Sequence, residues 1–158
     1  MTFRSLFSSL FSPVLLAGSI LGIGFVEKGV YAQTNNEFAT QIRTQLDILM
    51  DSPQLDNYRP ILTHIDDVGL NSGESRTWDL PLEANTEYVV AAVCDHDCQN
   101  IDLELLEGER VVDADREEDA YPMIVGVTGE HSYQAKITMR TCAVSPCYSG
   151  FRLFQLEK

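Results

Sequence analysis

The sequence predicts a mostly β protein, a sandwich or barrel of antiparallel strands that is preceded by one amphipathic helix. Short segments after residue 75 alternate apolar with polar residues, as strands with one buried face do. Gly, Asn, Asp and Pro separate these segments at intervals of roughly ten residues, which is typical of sandwiches and barrels. One earlier segment, residues 35–51, has helical spacing instead. The 158 residues suit one domain plus a processed segment.

Residues 1–32 are predicted to be a signal peptide. Arg4 gives a weakly basic start, an apolar run covers Pro13 to Val26, and Val30-Tyr31-Ala32 is a small-residue cleavage pattern. The alternative is an uncleaved anchor, because the run from Leu6 is close to the ~20 apolar residues that a membrane helix needs. Pro13 and several serines favour cleavage after Ala32, which leaves no membrane span. The protein is then exported to a periplasm, the extracellular space, or a thylakoid lumen if the source has one.

The predicted mature chain is strongly acidic. The 11 basic and 24 acidic side chains of the full chain become 9 and 23 when Arg4, Lys28 and Glu27 are removed. Such a surface repels nucleic acid and anionic lipid, so neither is an expected partner. This charge is compatible with a cation or a basic partner. Alternatively, it only keeps an exported protein soluble.

The helix over residues 35–51 is predicted from both ends. Thr34 and Glu37 form a capping box, and Pro53 bars continuation. Its apolar stripe, which we expect to pack on the domain, consists of Phe38, Ile42, Leu46 and Leu49. Residues 52–74 are interpreted as an irregular lead-in, and residues 75–158 as the sandwich. Within it, Tyr88 to Val93 is apolar on both faces, as in a central strand, and Trp78 alternates in phase with core residues.

The four cysteines all lie in the predicted mature chain, and their even number implies two disulfides in an exported protein. They are Cys94, Cys98, Cys142 and Cys147. Three pairings exist, and loop entropy favours the long cross-links. Proximity in sequence favours Cys94–Cys98 with Cys142–Cys147, and we expect these local pairs because each flanks a turn. Neither spacing is the C-x2-C of redox enzymes, so structural disulfides are expected.

The stretch from Trp78 to Phe154 resembles the bacterial pre-peptidase C-terminal (PPC) domain family. The resemblance is carried by four segments: the apolar strand Glu87 to Val93, the strand Ile101-Asp102-Leu103-Glu104-Leu105 into which it leads, the turn Asp113-Ala114-Asp115, and the late strand Gly129 to Ile137. The family implies a jelly-roll-like antiparallel β-sandwich that acts in targeting, adhesion or chaperoning, in some members with calcium. The cysteines and the lack of a preceding protease domain depart from the family pattern. The resemblance therefore implies a stand-alone, non-catalytic exported module.

A cation site is the first candidate for chemistry. Calcium takes six to eight oxygen ligands, and clustered carboxylates on adjacent loops can supply them. The candidate ligands are Asp95, Asp97, Asp102, Asp113 and Asp115. The alternative is a solvated acidic surface. A transition-metal site would need His64 and His131 to converge on His96.

Catalysis is not predicted, because the chain has neither a G-x-S-x-G elbow nor an H-E-x-x-H motif. A small hydrolase that uses its acidic loops stays open as an alternative. Tyr121 and Tyr148 border loops and are the candidate surface contacts for a protein or polymer ligand. A further alternative is an accessory subunit that docks by the helix over residues 35–51 on a larger exported or membrane complex.

Overall fold

The computed structural model describes residues 28–128 and 131–157, with only the backbone of residues 28–36 and of Thr128. Most of the predicted signal peptide, residues 1–27, lies outside the described residues. The elements are helix α1 (Lys28–Leu49), a 3-10 turn (Pro53–Leu55) and eight strands. The strands are β1 (Tyr58–Ile65), β2 (Ser75–Leu80), β3 (Glu87–Cys94), β4 (Cys98–Glu107), β5 (Arg110–Asp115), β6 (Met123–Thr128), β7 (Tyr133–Cys142) and β8 (Ser149–Leu156).

The strands form two four-stranded sheets whose order is that of a jelly roll. The first sheet runs β1-β8-β3-β6 and the second β2-β7-β4-β5. Strand β1 pairs with β8, β2 with β7, β3 with β6 and β4 with β5, all antiparallel, as in one long hairpin wrapped around itself. The predicted fold class, a mostly β sandwich with a single helix, is confirmed.

This wrapping brings the β1–β2, β3–β4, β5–β6 and β7–β8 loops to one end of the sandwich, which we call the disulfide end. Leu70 of the first loop bridges to Cys147 of the last. Ala143 N–H donates to the carbonyl of Asp97 at 2.7 Å, and Ile101 N–H donates to that of Asp119 at 3.0 Å. These backbone bonds fix the loops against one another.

The space between the sheets is filled by apolar side chains. One of the largest side chains in this core is Phe151 on β8, whose ring centroid lies 5.5 Å from that of Trp78 and 5.4 Å from that of His64. Leu103 and Leu105 of β4 belong to the same cluster as Val90 and Ala92 of β3. Trp78 packs against this core, as its phase in β2 predicts.

Helix α1 covers the outer face of the first sheet. Ile42 and Leu46 are fully buried and pack with Val93 of β3. The 3-10 turn adds Leu55 beside Val89 and Ala91. Strand β3 is therefore apolar on both faces because one face meets the second sheet and the other meets the helix and the turn. The apolar stripe of the helix is used inside the chain, as expected.

Two boundaries differ from the sequence-based prediction. The helix begins at Lys28 instead of residue 35, so the Thr34 and Glu37 capping box lies within it, while its end at Leu49 agrees with the stop expected before Pro53. The sandwich begins at β1 and not at residue 75. Strand β1 is an edge strand with a bulge between Pro60 and Leu62. A proline is tolerated only at such positions, and it hid the strand pattern.

Within the part of the chain that the structure describes, α1 is the one α-helix, and it does not combine the length with the apolar character that a membrane span requires.

Candidate functional site

The disulfides join Cys94 to Cys98 and Cys142 to Cys147, which confirms the expected local pairs. The first spans the β3–β4 connection and so links the two sheets. The second closes the β7–β8 loop. Both lie at the disulfide end, and two disulfides are compatible with an oxidising, exported location.

Asp95 lies inside the loop that the first disulfide closes. It is only 1% exposed. Its Oδ2 accepts a hydrogen bond from Tyr148 N–H at 3.0 Å, and its own N–H donates to the Tyr148 carbonyl at 3.0 Å. Burial raises the pKa of Asp95, the Tyr148 N–H opposes that shift, and the neighbouring Asp97 carboxylate adds to it. This carboxyl therefore joins the β3–β4 loop to the start of β8.

The other candidate calcium ligands are spread over the molecule. Asp97 follows Asp95 in the same loop. Asp102 lies on β4, where burial raises its pKa and Arg140, 3.5 Å away, opposes the shift. Asp113 and Asp115 belong to β5 and not to a loop.

The carboxylates of the two β5 aspartates accept hydrogen bonds from backbone N–H groups. Asp113 Oδ1 accepts from Ala114 N–H at 2.8 Å, and Asp115 Oδ2 accepts from Met123 N–H at 2.8 Å, which ties β5 to β6 across the sheet edge. Across residues 28–128 and 131–157, no three or more His, Cys, Asp or Glu side chains form a group that could hold a metal ion. The structure thus places Asp95 and Asp97 together but does not gather all five aspartates.

The three histidines lie in different surroundings. His64 stacks on Phe151 inside the sandwich. His96 places Nδ1 2.8 Å from Gln41 Oε1 of α1, so it joins the first disulfide loop to the helix. His131 lies 3.6 Å from Glu107 at the opposite end. The convergence that a three-histidine metal site would require does not occur.

The outer face of the second sheet carries a lattice of polar side chains, which we call the open face. Gln134 donates to Asp79 at 2.7 Å across β7 and β2. Glu104 on β4 accepts from Lys136 at 2.8 Å and from Arg116 at 2.6 Å. Burial tends to raise the pKa of Glu104, but these two cations outweigh it and hold the pKa below its ordinary value. The contacts of α1 fall on β1, β3 and β8, all in the first sheet.

The two candidate aromatic contacts differ in their placement. Tyr121 is 52% exposed in the β5–β6 loop. Tyr148 stacks on Phe38 of α1 with ring centroids 4.5 Å apart, so its ring belongs to the helix contact. Of the two tyrosines, only Tyr121 has the exposed position that was expected of a surface contact.

Arg152 of β8 holds α1 against the first sheet, a role that the sequence pattern did not predict. Its side chain is 8% exposed. It donates to the Leu46 carbonyl at 2.9 Å, to Asp47 Oδ1 at 2.9 Å and to Thr63 Oγ1 at 2.9 Å. A charged residue inside the otherwise apolar Gly150 to Phe154 segment was the available signal, because buried charges need dedicated partners.

Replacing Asp95 with asparagine is expected to raise the thermal midpoint at pH 7. A carboxyl whose folded pKa is raised contributes stability below its unfolded pKa and loses that contribution as pH rises through the folded pKa. The asparagine oxygen keeps the bond from Tyr148 N–H without the cost of a buried charge. The advantage should shrink when melting is repeated at pH 3, and Glu118→Gln, at an exposed site, is the control. A lower midpoint at pH 7 would contradict the assigned burial cost.

Compared with known proteins, the chain matches no family model and no curated protein.

Proposed function

We propose that this chain is an exported, non-catalytic binding or structural module that presents the open face to a polar protein or polymer. The observation that carries the proposal is the contrast between the two sheets. Helix α1 and the 3-10 turn cover the outer face of the first sheet. The outer face of the second sheet instead carries polar side chains that are hydrogen-bonded to one another. A face of mixed charge suits hydrogen bonding to polar surfaces.

The buried polar groups support a non-catalytic role. The carboxyl of Asp66 pairs with Arg76 of β2, the guanidinium of Arg152 holds α1, and the Asp95 carboxyl holds β8. Each of these groups joins two elements of the fold. The PPC-like resemblance of residues 78–154 agrees with a module of this kind, and membership of that family remains part of the proposal.

A site-specific photo-crosslinker tests the proposal without knowledge of the partner. Thr138 lies at the centre of the open face, opposite Asp102, and Thr44 lies on the exposed side of α1. We expect a crosslinker at position 138, expressed in the source cells, to capture a specific exported partner that the one at position 44 does not. Assays of the purified chain on esters, glycosides and peptides should show no turnover. Activity that is abolished in Asp97→Asn would favour the hydrolase alternative.

The second candidate is an accessory subunit that docks by α1. Ile48 favours it, because this side chain is 64% exposed on the helix surface away from the sandwich. Crosslinks from position 44 and none from position 138 would support this candidate against the open face. The buried stripe of α1 is already occupied by the first sheet, so docking would use the Ile48 side.

Calcium remains part of the proposal through Asp95 and Asp97. A ligand at ~100 times its dissociation constant stabilises a fold by about 2.7 kcal/mol, and for a domain of this size that raises the thermal midpoint by roughly 3–8 °C. We expect such a rise with calcium over chelator to be lost in Asp97→Asn and kept in Asp79→Asn. Equal midpoints in calcium and chelator would remove the cation from the proposal.

A further inference from the structure

The four cysteines share one apolar cluster at the disulfide end. Cys94, Cys98 and Cys147 are buried in the core between the sheets, and Cys142 packs against the same core while half-buried. Cys142 is therefore the sulfur that a reagent in solution reaches first. Access of this kind decides which sulfur of a disulfide is attacked.

Cys98 and Cys142 belong to different disulfides but lie directly opposite each other in the β4–β7 pair. Opposed residues of antiparallel strands point to the same face, with Cα atoms about 4.5–5.5 Å apart. A disulfide needs a Cα separation of about 4.4–6.8 Å. The spacing expected of this opposed pair, which ends the β4–β7 ladder beside a bulge at residues 98–101, therefore suits a disulfide.

The remaining two cysteines have other neighbours. Cys147 bridges to Leu70 of the β1–β2 loop, and Cys94 lies opposite Ser149 in the β3–β8 pair. The register therefore selects one cross-link, Cys98–Cys142, among those that join the two disulfides.

We propose that the two disulfides exchange through Cys98 and Cys142. A dithiol reductant first reduces Cys142–Cys147 to two thiols and is itself oxidised to its disulfide. The Cys142 thiolate then attacks Sγ of Cys98, the Cys98–Cys142 bond forms, the Cys94–Cys98 bond breaks, and Cys94 leaves as the thiolate. Reduction of the accessible disulfide is thereby passed to the buried one.

The exchange opens the loop that contacts the helix. Cys94 and Cys98 close the loop in which His96 meets Gln41 of α1 and Asp95 holds Tyr148, whose ring stacks on Phe38. The contact between this loop and α1 would therefore change with the ratio of thiol to disulfide reagents in the compartment.

Two serine variants of the full chain form a matched test. Cys147→Ser leaves Cys142 as a thiol opposite Cys98, whereas Cys142→Ser leaves Cys147 as a thiol opposite no cysteine. After alkylation of thiols, trypsin places Cys94 and Cys98 in one peptide, residues 77–110, and Cys142 and Cys147 in another, residues 141–152. An inter-peptide disulfide thus reports exchange directly. We expect most of the Cys147→Ser protein to carry that link with Cys94 alkylated, and the Cys142→Ser protein to lack it.

The wild type gives the same test without a substitution. At graded dithiothreitol concentrations, an inter-peptide species with Cys94 and Cys147 alkylated should rise and then fall as reduction is completed. An intact Cys94–Cys98 bond beside a Cys142 thiol in Cys147→Ser would overturn the proposal. Equal links in both variants would also overturn it, because they indicate unselective shuffling. Circular dichroism identifies a variant that has not folded, and the wild-type series then decides.

Discussion

Replacing Phe151 with alanine is expected to lower the free energy of unfolding by about 3–5 kcal/mol, as for other buried Phe→Ala changes. The side chain is 1% exposed, and its ring contacts His64 from β1 and Trp78 from β2. It thus joins the first sheet to the second on the side of the sandwich that carries the edge strands β1 and β2. Its own strand pairs with β1 on one side and β3 on the other, so the surrounding backbone has little room to close the cavity.

Urea unfolding of the oxidised protein, followed by tryptophan fluorescence, measures the free energy that Phe151→Ala removes. Trp78 reports on this site because its ring centroid is 5.5 Å from that of Phe151. Phe151→Leu is the matched control and should lose only about 1 kcal/mol, since it retains most of the buried volume. A loss below about 1 kcal/mol for the alanine variant would contradict the placement of Phe151 at the junction of the sheets.

The central strands could be predicted from the sequence, but the edge strand β1 could not. Alternation marks β7, and the two-sided apolar run marks β3, because both patterns follow from local geometry. Strand β1 contains Pro60 and mixes polar with apolar residues, since an edge position beside a bulge imposes fewer constraints. The order of strands within each sheet follows from contacts between residues far apart in sequence, which periodicity does not encode.

The candidate site shows the same limit. The sequence placed Asp95 and Asp97 correctly in one loop with the cysteines, and the local disulfide pairs followed from their flanking turns. It did not reveal that Tyr148 N–H binds the Asp95 carboxyl from a segment 53 residues away, or that Asp115 accepts from Met123. Carboxylates that look available for a cation are used by backbone donors, and only the tertiary fold determines which donors reach them.

Two isoleucines of α1 provide the sharpest test of which face of the helix packs on the first sheet. Ile42 is fully buried against Val93, whereas Ile48, six residues further along the helix and outside that stripe, is 64% exposed. Ile42→Asp is expected to lower the free energy of unfolding by about 3 kcal/mol or more, because apolar burial is lost and a carboxylate is placed in the apolar cluster of Leu46 and Val93. Ile48→Asp should change it by less than about 0.5 kcal/mol.

Limited proteolysis separates loss of the helix contact from loss of the whole fold. In Ile42→Asp, cleavage after Arg43 should accelerate sharply while the strands that follow stay protected, since the two sheets retain their own core. In Ile48→Asp, cleavage at Arg43 should keep the wild-type rate. Equal sensitivity of the two variants would show that α1 does not pack on the first sheet through Ile42, and that β3 is not buried on its outer face by the helix.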